Sequence, residues 1–262
     1  MSLNENEPNT AAGAPAPKRT RVTRKRRAEA IVSILTDHYS GGDITLDAAN
    51  AWELLVAAIL AAQCTDERVN KITPALFERF PDMEAFSVSS PPEIEPYIKS
   101  CGLFRNKAKS IHGAAVYLLE NEAGVVPDDE KRLLAVPGVG RKIANLILGD
   151  IFGKQAIVVD THCSRVSQLI GLTEHKDPTR IERDLMRHVP EEHWTDWGHL
   201  MVAHGRRICV ARRPECERCP IAGACAYGRK RLKLDGWDLT NRLNAEEEGG
   251  DQPEDGSAET AE

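Results

Sequence analysis

The turn Val136-Pro137-Gly138-Val139-Gly140 constrains this chain more than any other stretch. Leu133 and Leu134 precede it in a short helical run, and Arg141 opens a helix directly after it. Pro137 fixes its own φ and prevents the first helix from continuing. Gly138 and Gly140 allow positive φ and leave backbone N–H groups uncovered by side chains. Beyond the turn, Ile143, Leu146, Ile147 and Ile151 recur at helical spacing and predict one buried face. The fold must therefore accept two short helices joined by a glycine hairpin. A glycine turn feeding a helix N-terminus presents unpaired N–H groups and the positive dipole end together, which makes an anion site. On a DNA-binding protein that anion is a backbone phosphate, and Gly138, Gly140 and Arg141 are the candidate contacts.

Two residues could turn such a grip into chemistry. Lys142 lies in the first turn of the helix, where the dipole disfavours a positive charge. It is better placed there as an amine with a lowered pKa than as a solubilising cation. Asp160 ends the apolar run Ala156–Val159 and precedes Thr161-His162-Cys163. The plainer readings are a solvated lysine and an N-cap aspartate for the next helix.

The remainder reads as helix. Ala28–Tyr39 carries Ile31, Ile34 and Leu35 on one side and stops at Gly41-Gly42. Asp47 or Asn50 opens the next helix, where Trp52, Leu55, Val56, Ile59 and Leu60 form an apolar stripe and Gln63 falls in register with it. Thr65-Asp66-Glu67 starts a helix that Pro81 ends, and Pro91-Pro92 opens a short one broken at Gly102. Ala108, Ile111, Ala115 and Leu118 line another, and further helices are predicted around Cys163–Ile170, Pro178–His188 and Trp194–Ile208. No stretch alternates with period two over a useful length, so the fold class is all-α. Leu103, after Gly102, is either a loop anchor or an exposed apolar wedge. Gln63 is a satisfied helix-end amide or a functional one, and His162 an ordinary first-turn residue or a contact.

Four of the seven cysteines, Cys209, Cys216, Cys219 and Cys225, follow the spacing C-x6-C-x2-C-x5-C. Thiolates packed this closely bind zinc or an iron–sulfur cluster. The uneven spacing suits the separated corners of a cubane, whereas a zinc ribbon usually has two distant CxxC pairs. The loop between the first two ligands would present Arg212 and Arg213 to phosphates. Cys64, Cys101 and Cys163 are expected to be small buried apolar residues.

Charge is distributed unevenly. The net charge is −6 over 262 residues, which taken whole argues against a nucleic-acid partner. Residues 1–27 nevertheless carry seven basic residues against Glu5 and Glu7, and residues 245–262 carry eight acidic residues and no basic one. Both ends are expected to be disordered, a basic segment over 1–23 and an acidic one over 236–262, acting at least as solubilising extensions. Arg206–Arg231 has eight basic residues against Glu215 and Glu217, and a local patch is what a DNA reader needs. There is no apolar run long enough to span a membrane and no apolar signal core. An intracellular, cytoplasmic, monomeric protein is expected, and a disulfide framework is not.

The hairpin VPGVGRKIAN followed by VDTH, together with HGR-x-x-C and the cysteine spacing, resembles the endonuclease III branch of the helix-hairpin-helix DNA glycosylases, over roughly residues 25–230. That resemblance implies two helical lobes: a six-helix lobe over 46–154 ending in the hairpin, and a lobe joining 24–45 to 155–235 that carries a [4Fe–4S] cluster. It implies a bifunctional DNA glycosylase and abasic-site lyase, bacterial in type, acting on oxidised pyrimidines in double-stranded DNA. Lys142 would be the nucleophile, and Asp160 would assist proton transfer and stabilise the cationic sugar. Gln63 would fill the hole left by the flipped nucleotide, Leu103 would wedge into the duplex, and His162 would lie near the damaged nucleotide. Ile143 stands where many relatives have Thr. The alternatives are a monofunctional adenine or mismatch glycosylase of the same superfamily, which generally lacks the hairpin lysine, and a non-catalytic cluster-bearing DNA sensor.

Overall fold

The computed structural model describes residues 22–39 and 46–240, so most of the basic and acidic extensions lies outside the described residues. Twelve α-helices and no strands are found among them. They are α1 Arg24–His38, α2 Ala51–Leu60, α3 Asp66–Arg79, α4 Met83–Val88, α5 Pro91–Ile98, α6 Phe104–Asn121, α7 Glu130–Ala135, α8 Arg141–Asp150, α9 Thr161–Ile170, α10 Pro178–Met186, α11 Trp194–Arg207 and α12 Ala226–Leu232. The all-α class is as the sequence leads one to expect.

Two apolar cores organise them. The first gathers α2 to α8 around Leu55, Leu60, Leu76, Phe80, Phe86 and Ile111. The second joins α1 to α9–α12, with Trp197 and Leu35 fully buried. Seven helices serve the first core. The one that the sequence does not suggest is α4, six residues capped by Asp82, whose side chain accepts from the Ala85 N–H. Met83 and Phe86 place it on the core, but two apolar residues in a single turn carry no readable period.

The cysteine-bearing lobe is closed by the first and last described segments of the chain. Thr23 caps α1, so the helix begins at Arg24 and takes in the basic run. Arg27 is buried and donates to the Ile170 and Gly171 carbonyls at 2.9 and 3.0 Å, satisfying the C-terminus of α9. Residues 236–240, assigned from sequence to the acidic extension, pack on the same lobe: Trp237 lies 4.3 Å from both the Arg27 and Arg229 guanidiniums.

The seam between the cores is polar. Arg141 Nε and Nη2 donate to the two Glu182 carboxylate oxygens at 2.6 and 2.8 Å. Asn145 donates to the Ile157 carbonyl at 2.9 Å. Asp150 meets His199 at 2.8 Å, and Arg206 donates to Asp66 at 2.6 Å. Glu182 and Asn145 are both buried. Partnered charge at a buried seam fixes how the two halves sit, because removing either partner strands the other.

Candidate active site

A cleft of about 750 Å³ opens along this seam, lined by Gln63, Gly140, Lys142, Asp160 and His162 among others. The five come from both cores, and four of them belong to three successive parts of the chain: the hairpin, the first turn of α8 and the start of α9.

The hairpin closes with the Val139 N–H donating to the Val136 carbonyl at 3.1 Å. Gly138 has φ +82°, and a Cβ there would stand 2.7 Å from the Ser110 Cβ, so the position demands glycine on both grounds. Gly140 differs from the sequence expectation: its φ is −102°, an extended N-cap that any residue could adopt. A Cβ on it would meet nothing within 4 Å. What its missing side chain keeps clear is the space outside the protein. No side chain caps α8, so the N–H groups of its first turn face out unsatisfied. Arg141, by contrast, is committed to Glu182 and, at 2.7 Å, to Glu130. It acts as a strut across the seam, an occupation that the sequence does not reveal.

Lys142, next in the chain, is exposed to the cleft and has no hydrogen bond or ion pair among the described residues. Asp160 is half-buried, and its Oδ1 accepts from the Cys163 N–H at 2.7 Å as the N-cap of α9. The capping role is therefore real. It engages one carboxylate oxygen and leaves the other to the cleft.

His162 is held against Gly205, where any Cβ would come within 2.5 Å of its Nδ1. That nitrogen is buried without a partner. Burial lowers its pKa, helped by Arg165, Arg206 and Lys142 and opposed by Asp160, so the ring is neutral near pH 7. Asp66, Asp150, His199 and Arg206 also line the cleft and were not singled out by sequence. Their only signal is pairing across the seam, which no linear spacing encodes.

Three of the four remaining DNA-contact candidates share a backbone property. Among the described residues five non-glycine residues have positive φ, and Gln63 (56°), Leu103 (45°) and Arg212 (67°) are three of them. Such conformations cost of order 1–3 kcal/mol each and concentrate at functional sites. Gln63 does not continue the α2 stripe: the helix ends at Leu60, and the turn carries Gln63 out to the cleft, exposed. Leu103 is 55% exposed at the start of α6. Ile151 is likewise exposed, because the buried face of α8 runs through Ala144, Ile147 and Leu148, while Ile143 and Leu146 border the cleft. Arg213 is exposed beside Arg212, on the loop between Cys209 and Cys216.

Cys209, Cys216, Cys219 and Cys225 line one almost wholly apolar cavity. Among the described residues no three His, Cys, Asp or Glu side chains converge closely enough to hold a single ion. Sulfurs spread around a cavity suit the separate corners of a cluster better than one zinc at about 2.3 Å from all four. Donors already face the sulfurs: Arg165 Nη1 lies 3.6 Å from Cys209 and the Gly228 N–H 3.4 Å from Cys225. Burial raises the Cys225 thiol to about 11, so a cluster bound there would have to displace its proton. Cys101 and Cys163 are buried as expected, whereas Cys64 is only half-buried and borders the cleft.

Comparison with known proteins agrees with this geometry. Residues 56–191 match the HhH-GPD superfamily of base excision DNA repair proteins, and residues 209–225 match the iron–sulfur binding domain of endonuclease III. Endonuclease III of Synechocystis is 48% identical over 208 residues, 79% of this chain and 95% of the relative. Endonuclease III of Bacillus subtilis is 39% identical over 209 residues, again 79% and 95%. A trapped endonuclease III–DNA covalent intermediate superposes with a TM-score of 0.75 at 37% identity, covering 80% of this chain and 99% of that one. With the cleft, the hairpin and the cysteine cavity all accounted for, the chain belongs to the endonuclease III family of DNA glycosylases with abasic-site lyase activity.

Proposed function

We propose that the protein removes oxidised pyrimidines from double-stranded DNA and then cuts the abasic strand, with Lys142 as nucleophile and Asp160 as its acid–base partner. The observation that carries this reading is the pairing of an uncommitted amine with a half-committed carboxylate on one cleft, each in the first turn or cap of a helix that points its N-terminus there. The covalent intermediate that a relative forms with DNA supports attack by a protein nucleophile over attack by water.

The steps follow from the two groups. Asp160 takes a proton from the Lys142 ammonium, and the amine attacks C1′ of the sugar. The N–C1′ bond forms as the glycosidic bond breaks, and the electron pair leaves on the base, which acquires a proton. The secondary amine so formed loses its extra proton and expels the ring oxygen O4′, which takes up a proton, and the open-chain iminium that results acidifies the C2′ proton. Its removal expels the 3′ phosphate by β-elimination, and hydrolysis of the imine frees Lys142. Positive charge on the sugar is greatest in the first step, where the free Asp160 oxygen opposes it.

The surrounding surface supplies the binding. The hairpin amides hold a backbone phosphate, and Gly140 allows it to come close. Gln63 and Leu103 enter the duplex, offsetting the few kcal/mol lost on unstacking. Neutral His162 lies beside the flipped nucleotide. Arg212 and Arg213 reach phosphates from a loop that the cysteines hold, and the iron–sulfur cluster would fix that loop while taking no part in the sugar chemistry. The two cores act as lobes of a clamp, and the protein works as a cytoplasmic monomer on the chromosome. No described helix is long and apolar enough to cross a membrane.

Borohydride tests the centre of this reading. Wild-type protein incubated with a lesion-bearing duplex and borohydride should yield a covalent adduct through Lys142, since only amine attack on C1′ leaves a reducible iminium. Lys142→Gln should bind the duplex and give neither base release nor adduct. Base release by wild-type protein with no trappable adduct would assign it to the water-activating glycosylases. Tight binding with no release would make it a sensor.

A further inference from the structure

Lys107 is the only buried lysine among the described residues. Its Nζ donates to the Leu60 carbonyl at 2.8 Å and to the Cys101 carbonyl at 2.7 Å. No carboxylate pairs with it among the described residues. Burial lowers its pKa, while the neighbouring Cys101 and Cys64 thiols act in the opposite direction.

The two carbonyls are not arbitrary. Leu60 is the last residue of α2, and Cys101 is the last of the 3₁₀ turn Lys99–Cys101. The final carbonyls of a helix have no partner within it and carry the negative end of its dipole. Two such ends converge on one ammonium, which takes the place of a counter-ion. Three residues beyond Leu60 stands Gln63, and two beyond Cys101 stands Leu103. Both are exposed, both are left-handed, and Leu103 is the N-cap of α6, with the Lys107 N–H itself bonded to the Leu103 carbonyl at 3.0 Å. One buried side chain therefore ties together the roots of the two loops whose tips would enter DNA.

We propose that Lys107 is a positioning residue that sets the spacing between Gln63 and Leu103, so that the amide and the wedge enter the duplex as one unit. This rests on the reading of those two residues as inserted groups. The loops are separated by 40 residues of chain, and each tip is strained, so neither is held in place by local preference. The ammonium joins them with two short bonds in a dry site, where a hydrogen bond to a charge is strongest. A displacement of about 1 Å in a positioned group can cost up to about a hundredfold in rate.

The test uses the full chain and a duplex with a fluorescent purine analogue beside an abasic-site analogue, whose emission rises when the neighbouring base unstacks. Lys107→Met keeps the length and apolar stem and removes both bonds. It should reduce the unstacking signal and raise KM for duplex substrate about tenfold, with kcat nearly unchanged. Borohydride trapping on a single-stranded abasic oligonucleotide, which needs no insertion, should proceed at the wild-type rate. Lys107→Gln offers two amide N–H donors without charge and should recover part of the duplex signal; it also carries the test should Lys107→Met fail to fold. In a Gln63→Ala, Leu103→Ala background, Lys107→Met should add nothing further. Equal losses on single-stranded and duplex substrate would reduce Lys107 to a packing residue and overturn the proposal, as would an undiminished effect in the double-alanine background. A double-alanine protein that unstacks and cleaves duplex like wild type would instead remove the insertion reading, and the proposal with it.

Discussion

Helices α8 and α9 both point their N-termini into the same cleft, and they solve the problem of an unsatisfied terminus in opposite ways. Helix α9 is self-sufficient: Asp160 caps it with one oxygen at 2.7 Å. Helix α8 has no cap, and its terminus is positioned from outside. Arg141 ties its first turn to Glu182, Asn145 ties its middle to the Ile157 carbonyl, and Asp150 ties its end to His199. The contrast separates two requirements. A terminus meant for an external phosphate must stay bare, so its orientation has to come from the rest of the protein. A terminus that carries a catalytic carboxylate can use that carboxylate as its own cap, since one group has two oxygens.

Breaking the carboxylate's double role should give the largest effect. Asp160→Asn keeps an oxygen to cap α9 but removes the charge and the base. Base release from lesion duplex, followed in single turnover, should fall by about 10²–10⁴, while the melting temperature hardly moves. Some borohydride adduct should remain because Lys142 is intact. A rate within a few-fold of wild type would leave Asp160 with the cap alone.

The bare terminus is tested at its two glycines. Gly138→Ala puts a Cβ 2.7 Å from Ser110 at positive φ, and should destabilise the protein by about 2 kcal/mol. Gly140→Ala meets no protein atom, so its thermal stability should match wild type while affinity for duplex DNA drops several-fold. If the two alanines lowered stability equally, Gly140 would be a structural glycine and the open space before α8 would have no role in binding. Smaller again, Asp160→Ala should melt below Asp160→Asn by the worth of a cap, about 1 kcal/mol, a difference of roughly 2–4 °C for a domain of this size.

The two helix starts also show how much a sequence discloses. The hairpin, Lys142, Asp160 and the cysteine run are local patterns, and a linear reading finds them because their chemistry is set by neighbours in the chain. The all-α class is legible for the same reason. Helix α4 escapes because six residues are too short for a period. Ile151 is misplaced because the stripe on α8 is shared between a core face and a cleft face, both apolar. Glu182, Asp150 and His199 are invisible, since each matters only through a partner at least 37 residues away. The left-handed backbones of Gln63 and Leu103 are likewise imposed by the packing around them, for neither residue type favours that region.

The smallest effect concerns the far end of α8. Asp150 and His199 hold each other at 2.8 Å, with the carboxylate 6% and the imidazole 24% exposed. The hydrogen bond to Asp150 raises the His199 pKa above its ordinary 6.5, against the opposing influence of burial, and the charges of Asp150 and Asp196 add to the rise. A group whose pKa is higher in the folded state stabilises that state fully below its unfolded pKa, and the contribution disappears as pH climbs through the folded value. The pair should therefore hold α8 most firmly on the acid side of neutrality and release it progressively above. For a partly buried pair of this kind the difference is on the order of 1 kcal/mol or less. Thermal melts between about pH 5.5 and 9 should show wild-type protein losing a degree or two relative to His199→Gln across the neutral-to-alkaline range. Because the pair sits at the opposite end of α8 from the hairpin, DNA affinity should follow the same pH trend only if the orientation of the bare terminus is supplied from across the seam. Parallel melting curves for the two proteins at every pH would show that His199 titrates alike in the folded and unfolded states, and that its pairing with Asp150 adds no pH-dependent hold on α8.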